Sequence, residues 1–363
     1  MAMGQLVYPG AVHTRFHHSL GAYHLMGNAV NELRSKGTII TEEEEIAVKA
    51  AILLHDIGHG PYSHALEHVV VKGVHHEALS LQIMHEMNAA FDGQLTLAIQ
   101  IFTGAYHKPF LHQLISGQLD VDRMDYLSRD SFFCGVSEGV IGYDRILKML
   151  VVVDGQLMIE EKGIYSVEKF LVARRQMYWQ VYLHKTVLSA EKMLVKILER
   201  ARSLYTNSDA AMQTQSALDY FLGTFNGSMD AFALQQFCSL DDHDIMHAIK
   251  RWSTHPDKVL SLLCSRFLTR KLYKTTIQSE PFLPTTIAAK QKESIEAFNL
   301  DVSEMDYVCF TGEATNTLYQ TKDERINILF KDGSIKDISL IDNALIHQNL
   351  SAAVKKNYIC QLL

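Results

Sequence analysis

The stretch His55-Asp56-Ile57-Gly58-His59-Gly60-Pro61-Tyr62-Ser63-His64 puts three histidines and an aspartate within ten residues. The apolar run Ala50–Leu54 leads into it and reads as the buried end of a helix. Gly58, Gly60 and Pro61 forbid a regular helix through the middle. A His-Asp pair at a helix end, followed by a glycine-broken turn, is a way to hold a metal. Such a block cannot close a shell of four or more ligands without strain, so neighbouring helices must contribute.

The histidine distribution agrees. Of 18 histidines, 13 lie in residues 1–112, where a uniform scatter would place about a third. Histidine titrates near neutrality and is the commonest metal ligand, so the enrichment points to a site. One of His17 or His18 is the upstream donor this reading needs, and Asp120, Asp122 and Asp125 are the downstream carboxylates open to it.

Working outward, Thr14 caps a helical pattern to about residue 36. Thr41 and Glu44 form a capping box for a helix over 42–56, which ends on His55-Asp56. Helices are expected over about 62–71, 76–90, 95–102, 110–116 and 120–132. Residues 150–159 are two apolar runs about Asp154-Gly155, a hairpin signal. Residues 166–205 hold no Gly or Pro and read as one long helix, followed by shorter ones to about residue 268. Beyond that, a strand over 271–277, a helix over 285–298 and a hairpin over 325–340 are expected. The fold class is therefore mainly α, with a small α+β C-terminal appendage.

At 363 residues the chain can bury a large core. A net charge of -7 gives no basic stripe for nucleic acid. Five scattered cysteines, no apolar run of 18 residues and no signal-peptide pattern lead us to expect a soluble cytoplasmic protein that does not engage the membrane. The abrupt start Met1-Ala2-Met3-Gly4 leaves room for an upstream segment.

Arg15-Phe16-His17-His18-Ser19-Leu20-Gly21, the His55–His64 block and Asp122 within Asp120-Val121-Asp122-Arg123-Met124-Asp125-Tyr126 together resemble the HD-domain superfamily of metal-dependent phosphohydrolases. The fuller block resembles its deoxynucleoside triphosphate (dNTP) triphosphohydrolase branch. The resemblance covers about residues 5–200 and more loosely 268–274. It implies an HD-domain helical fold: a core over 1–150, a hairpin and helical extension over 151–268 that completes the nucleotide site, and the appendage over 269–363.

It also implies roles. The metal quartet would be His18, His55, Asp56 and Asp122, holding one or two divalent ions (Mn, Mg, Fe, Zn or Ni). His76, with Glu77 beside it, and His64 would carry the acid–base chemistry, and Glu67 matches a position that the animal relative fills with Asp. Arg15, His59, Arg123 and Arg174 match phosphate-contacting positions. Tyr126 and Asp130 match deoxyribose contacts, and Tyr182 a base-pocket position. The implied reaction is hydrolysis of a dNTP to deoxynucleoside and inorganic triphosphate, in a homo-oligomer with a nucleotide activator near His184-Lys185. Phosphohydrolysis of nucleoside monophosphates, cyclic nucleotides or another phosphorylated metabolite, or nucleotide sensing with weak turnover, are the alternatives.

Overall fold

The computed structural model describes residues 3–71, 73–206, 209–316, 319, 325–341 and 354–363. Eight helices come first: α1 (Arg15–Ser35), α2 (Glu42–Leu54), α3 (Glu67–Val70), α4 (His76–Ala90), α5 (Thr96–Phe102), α6 (Pro109–Gln113), α7 (Val121–Cys134) and α8 (Tyr143–Met149). A hairpin, β1 (Leu150–Val153) and β2 (Gln156–Glu160), separates them from α9 (Ile164–Met177) and α10 (Lys185–Leu204). Then come α11 (Ala217–Gly223), α12 (Ala231–Cys238), α13 (Asp242–Trp252) and α14 (Lys258–Leu268). The last portion is β3 (Lys274–Gln278), α15 (Pro284–Phe298), α16 (Met305–Val308), β4 (Cys309–Asn316), β5 (Asn327–Leu329), β6 (Ile335–Asp337) and β7 (Val354–Gln361).

Local chemistry sets the helices that carry the site. Thr14 caps α1, and its backbone N–H donates to His17 Nδ1 at 3.1 Å, closing a reciprocal capping box. His17 is thus occupied with the helix end. Thr41 and Glu44 cap α2 in the same way, and Lys108 and Tyr106 donate to Glu44 at 2.8 and 2.7 Å. Asp120 caps α7, accepting from the Arg123 N–H at 2.7 Å, and Gly135 ends that helix in the left-handed region. Each such cap stabilises its helix by about 1 kcal/mol.

Apolar faces gather into two cores. One joins α1, α2, α5, α6, α7 and α9, through Met26, Val30, Ile52, Leu111, Met124 and Phe170. The other surrounds α10, through Leu194, Leu66, Leu79, Trp252, Leu263 and Cys360. The His55–His64 turn runs between the two, so the helix before it belongs to one core and the helices after it to the other.

Three expectations change. Residues 166–205 are not one helix: α9 passes into a π-helical turn, Tyr178–Tyr182, and α10 restarts at Lys185. The Leu183 N–H bonds five residues back, to the Tyr178 carbonyl at 2.9 Å, an insertion that needs no Gly or Pro and so leaves no mark on periodicity. The helix expected over 62–71 is a 3-10 turn, Ser63–Ala65, followed by the four residues of α3. The C-terminal hairpin does not stand alone either. β5 pairs in parallel with β2 through Ile159↔Ile328, giving a sheet of order β1-β2-β5-β6, while β3-β7-β4 form a separate antiparallel sheet. Among the described residues, no helix is long and apolar enough to cross a membrane.

Candidate metal and phosphohydrolase site

Three helices of the first core deliver the metal-type donors. His18 is one turn into α1, His55 ends α2, Asp56 follows it, and Asp122 is in the first turn of α7. His18 Nε2 is 2.9 Å from Asp122 Oδ1 and 3.9 Å from Asp56 Oδ2. His55 Nε2 is 3.5 Å from Asp56 Oδ1 and 3.5 Å from Asp122 Oδ1.

Both rings are held from behind. His55 Nδ1 donates to the Ile52 carbonyl at 2.6 Å, and His18 Nδ1 donates to Asp125 Oδ2 at 2.8 Å. Their Nε2 atoms therefore face the carboxylates, and buried His55 Nε2 has no hydrogen-bond partner. An orphaned imidazole nitrogen beside two carboxylates fits a divalent cation, and rings tautomer-locked through Nδ1 are the usual way to present Nε2 to one.

The charge balance agrees. Burial disfavours a charged His18, yet hydrogen bonds to Asp122 and Asp125 outweigh it and push the pKa up to about 10. Burial would raise the carboxyl of Asp122, but His18 and His55 hold it below the usual range, and Asp56 is lowered likewise by His59, His55 and Arg15. The two aspartates thus stay ionised and demand a positive partner, which protonated His18 supplies when no cation does.

The three downstream aspartates separate by geometry. Asp120 caps α7, Asp125 backs His18, and Asp122 faces both Nε2 atoms. Asp125 is itself gripped by Arg129 through Nε and a terminal nitrogen, both at 2.8 Å. A Cβ on Gly21 would come within 1.9 Å of Asp125 Oδ1, so α1 needs glycine there to let this pair reach His18.

The turn then crosses to a second cluster. His59 Nε2 is 3.4 Å from Asp56 Oδ1, and its ring stacks on His76 at 4.0 Å with 15° between planes. His64 stands edge-on to both. Glu67 ties the set: His76 donates from Nδ1 at 2.6 Å and from its backbone N–H at 3.0 Å to Oε1, and His64 Nδ1 donates to Oε2 at 3.1 Å. Burial would raise the Glu67 carboxyl, but those bonds outweigh it and hold it at about 2. Burial and the nearby Arg15 charge lower His59 to about 4 despite its bond to Asp56.

Here one expectation is corrected. The carboxylate on His76 is Glu67, not Glu77, which is exposed on α4. Successive helical residues point about 100° apart, so an adjacent Glu turns away, while Glu67 returns across the preceding loop. Ser80 was not foreseen. It accepts from the Gly58 N–H at 2.9 Å and donates to the His55 carbonyl at 2.8 Å, strapping the turn to α4. A Cβ on Gly58 would meet the His76 carbonyl oxygen at 2.2 Å.

Arg15 reaches across the mouth, bonding Asp56 and Ser63. Arg123 Nε donates to the Gly117 carbonyl at 2.6 Å and Asp120 at 3.1 Å, and Arg174 donates to Gln118 at 3.4 Å. Tyr126 and Tyr182 meet edge to face at 6.4 Å, and the Tyr182 hydroxyl donates to Asp130 Oδ2 at 2.7 Å. Asp130 also receives buried His13, whose Nε2 lies 2.6 Å from Oδ1. His13 went unremarked in the sequence, because nothing in its spacing links it to Asp130, 117 residues on.

Residues 15–130 match the HD domain, and residues 141–220 match the HD associated region. A phosphohydrolase of Bacteroides thetaiotaomicron VPI-5482 is 48% identical, with a TM-score of 0.91 over 99% of this chain and 90% of that one. The chain belongs to the HD-domain phosphohydrolases. An uncharacterized protein of Bacillus subtilis, YwfO, is 32% identical over 92% of this chain and 78% of its own length. A Dictyostelium discoideum homolog of the deoxynucleoside triphosphate triphosphohydrolase SAMHD1 is 32% identical over 56% of this chain and 43% of its own length. HD membership agrees with the His/Asp cluster as a divalent-metal site.

Proposed function

We propose that this HD phosphohydrolase cleaves deoxynucleoside triphosphates to deoxynucleoside and inorganic triphosphate, with His18, His55, Asp56 and Asp122 holding one or two divalent cations. The observation that carries it is the continuity of the two clusters through His59, which touches Asp56 on one side and stacks on His76 on the other. Lewis acidity, acting on water and on a phosphoryl oxygen, is the chemistry a cation supplies in such a set.

The chain's own residues do the rest. Arg15, Arg123 and Arg174 set guanidinium charge against the triphosphate, for which Arg is geometrically suited. His59, held neutral, contacts phosphate as a hydrogen-bond donor. Water attacks the α-phosphorus and the bond to the sugar 5′ oxygen breaks. His76, its tautomer fixed by Glu67, or His64 delivers the proton to that leaving oxygen. Tyr126 and Asp130 form the wall for the sugar, where a 2′-hydroxyl would crowd the Tyr126 ring, Tyr182 borders the base, and the named activity of the Dictyostelium relative points the same way. The same reading carries a homo-oligomer and a nucleotide activator near Lys185, beside His184, whose Nδ1 accepts from the Thr186 N–H and caps α10.

The test is chromatography of products from each dNTP with metal-loaded protein, alone and mixed. Triphosphate with deoxynucleoside is expected. Orthophosphate or pyrophosphate would move the protein to another branch of HD chemistry, and no product from any of the four would overturn the reading.

A further inference from the structure

We propose that His59, His64, Glu67 and His76 form a second cation site, weaker than the first and suited to zinc, whose filling withdraws these residues from proton transfer. That last effect rests on the acid–base roles just given; the site itself does not.

The donor set argues for it. Each of the four residues offers a ligand atom, and those atoms all lie within 4.8 Å of one another. Tetrahedral zinc, with bonds of about 2.0–2.1 Å, sets its donors roughly 3.3 Å apart. Glu67 already brings two of the rings together, with Oε2 3.1 Å from His64 Nδ1 and Oε1 2.6 Å from His76 Nδ1. A small rotation of His64, whose side chain is 71% exposed, closes the set.

An independent sign comes from His59. Its side chain is 2% exposed, yet Nδ1 has no hydrogen-bond partner. A buried imidazole nitrogen left unpaired costs free energy unless something pays it a bond.

The donor types set the selectivity. Three imidazoles and one carboxylate suit zinc, whereas magnesium prefers oxygen ligands and keeps its waters. The first cluster, with two carboxylates and two imidazoles, is the harder site. Zinc at the second would hold the His64 and His76 nitrogens on the ion and leave neither free to carry a proton.

The experiment is metal counting on the stripped full-length chain, titrated with Zn2+ and read by elemental analysis and calorimetry, with Co2+ absorption as a geometry probe. Wild type is expected to bind two ions per chain. Asp122→Ala should lose the tighter one and keep the weaker. His64→Ala and Glu67→Gln should each weaken the second ion about tenfold or more, a loss at least as large as second-shell changes cause, with the tighter ion unchanged. His64 lies on an exposed turn, so its truncation leaves both cores intact. Saturation at one ion per chain, or a second ion indifferent to both variants, would overturn the proposal. Because no nucleotide is present, a second ion weakened by both His64→Ala and Glu67→Gln upholds the site even if no triphosphate is ever released, which would sink only the reaction proposed above.

Discussion

The two histidine clusters use the same side-chain chemistry on opposite kinds of backbone. His18, His55 and Asp122 sit on α1, α2 and α7, long capped helices that share one core, and both rings are fixed through Nδ1. His59, His64 and Glu67 sit on a glycine turn, a 3-10 turn and a four-residue helix. Tyr62 and Ser63, just before His64, both take left-handed backbone at φ 53° and 50°, unusual for residues other than glycine. Rigid helices suit a cluster that must hold a fixed geometry about an ion. A short, partly exposed turn suits one whose members must exchange protons with a substrate and with water. The expected separation is that one cluster controls metal content and the other controls turnover at constant metal content.

The hardest attempt to break that separation is at the first cluster. Asp122→Ala or His55→Ala should remove the tightly held metal and lower hydrolysis by roughly three orders of magnitude, since a Lewis acid supplies several kcal/mol and each ~1.4 kcal/mol is tenfold. Elemental analysis with product assay reads both. Full activity without metal would refute the assignment.

At the second cluster, His76→Ala should cost about 10²–10⁴-fold in kcat, the range for general acid–base catalysis, while the tighter metal remains. Glu67→Gln should follow it in direction, and Glu77→Gln should stay within about twofold of wild type, as surface changes away from a site do. If Glu77→Gln proved the more damaging of the two, the pairing seen here would not be the working one.

A finer probe lies behind the metal. Asp125→Asn keeps the shape but weakens the hold on His18 Nδ1, and metal affinity should fall about 10–100-fold with kcat at saturating metal little altered. A fall in kcat with affinity unchanged would place Asp125 on the substrate side.

How much of this was legible in the sequence follows the same division. The helical cluster could be read, because its residues fall at motif spacings and Thr41 with Glu44 announces the helix that delivers His55. Asp122 could not be told from Asp120 and Asp125 by the residues alone; helix phase and the cap at Asp120 separate them. The turn cluster was misread at its carboxylate, since adjacency along the chain is not adjacency in space. The π-helical turn at Tyr178–Tyr182 was invisible for a related reason. It keeps helical residue types while shifting phase by one, and so aims Tyr182 at Asp130. The pairing of β5 with β2 joins residues about 170 apart, beyond any local pattern.

The smallest effect expected is on stability against pH, and it tests the turn cluster without any substrate. Glu67 has its folded-state pKa lowered from 4.5 to about 2, because bonds from His76 and His64 outweigh the cost of burial. A carboxylate with a depressed folded pKa contributes stability that is present above the unfolded value. That contribution is lost as pH falls from about 4.5 to about 2, where the folded group finally takes its proton. Glu67→Gln lacks the titration and so lacks this slope. In metal-free protein, the difference in thermal midpoint between wild type and Glu67→Gln should therefore shrink as pH is lowered through that window, and level off just above it. Glu77→Gln, on the solvent face of α4, should run parallel to wild type throughout. A wild-type curve parallel to Glu67→Gln would mean that Glu67 is not held by its two histidines in solution, and that the turn cluster assembles only when something binds to it.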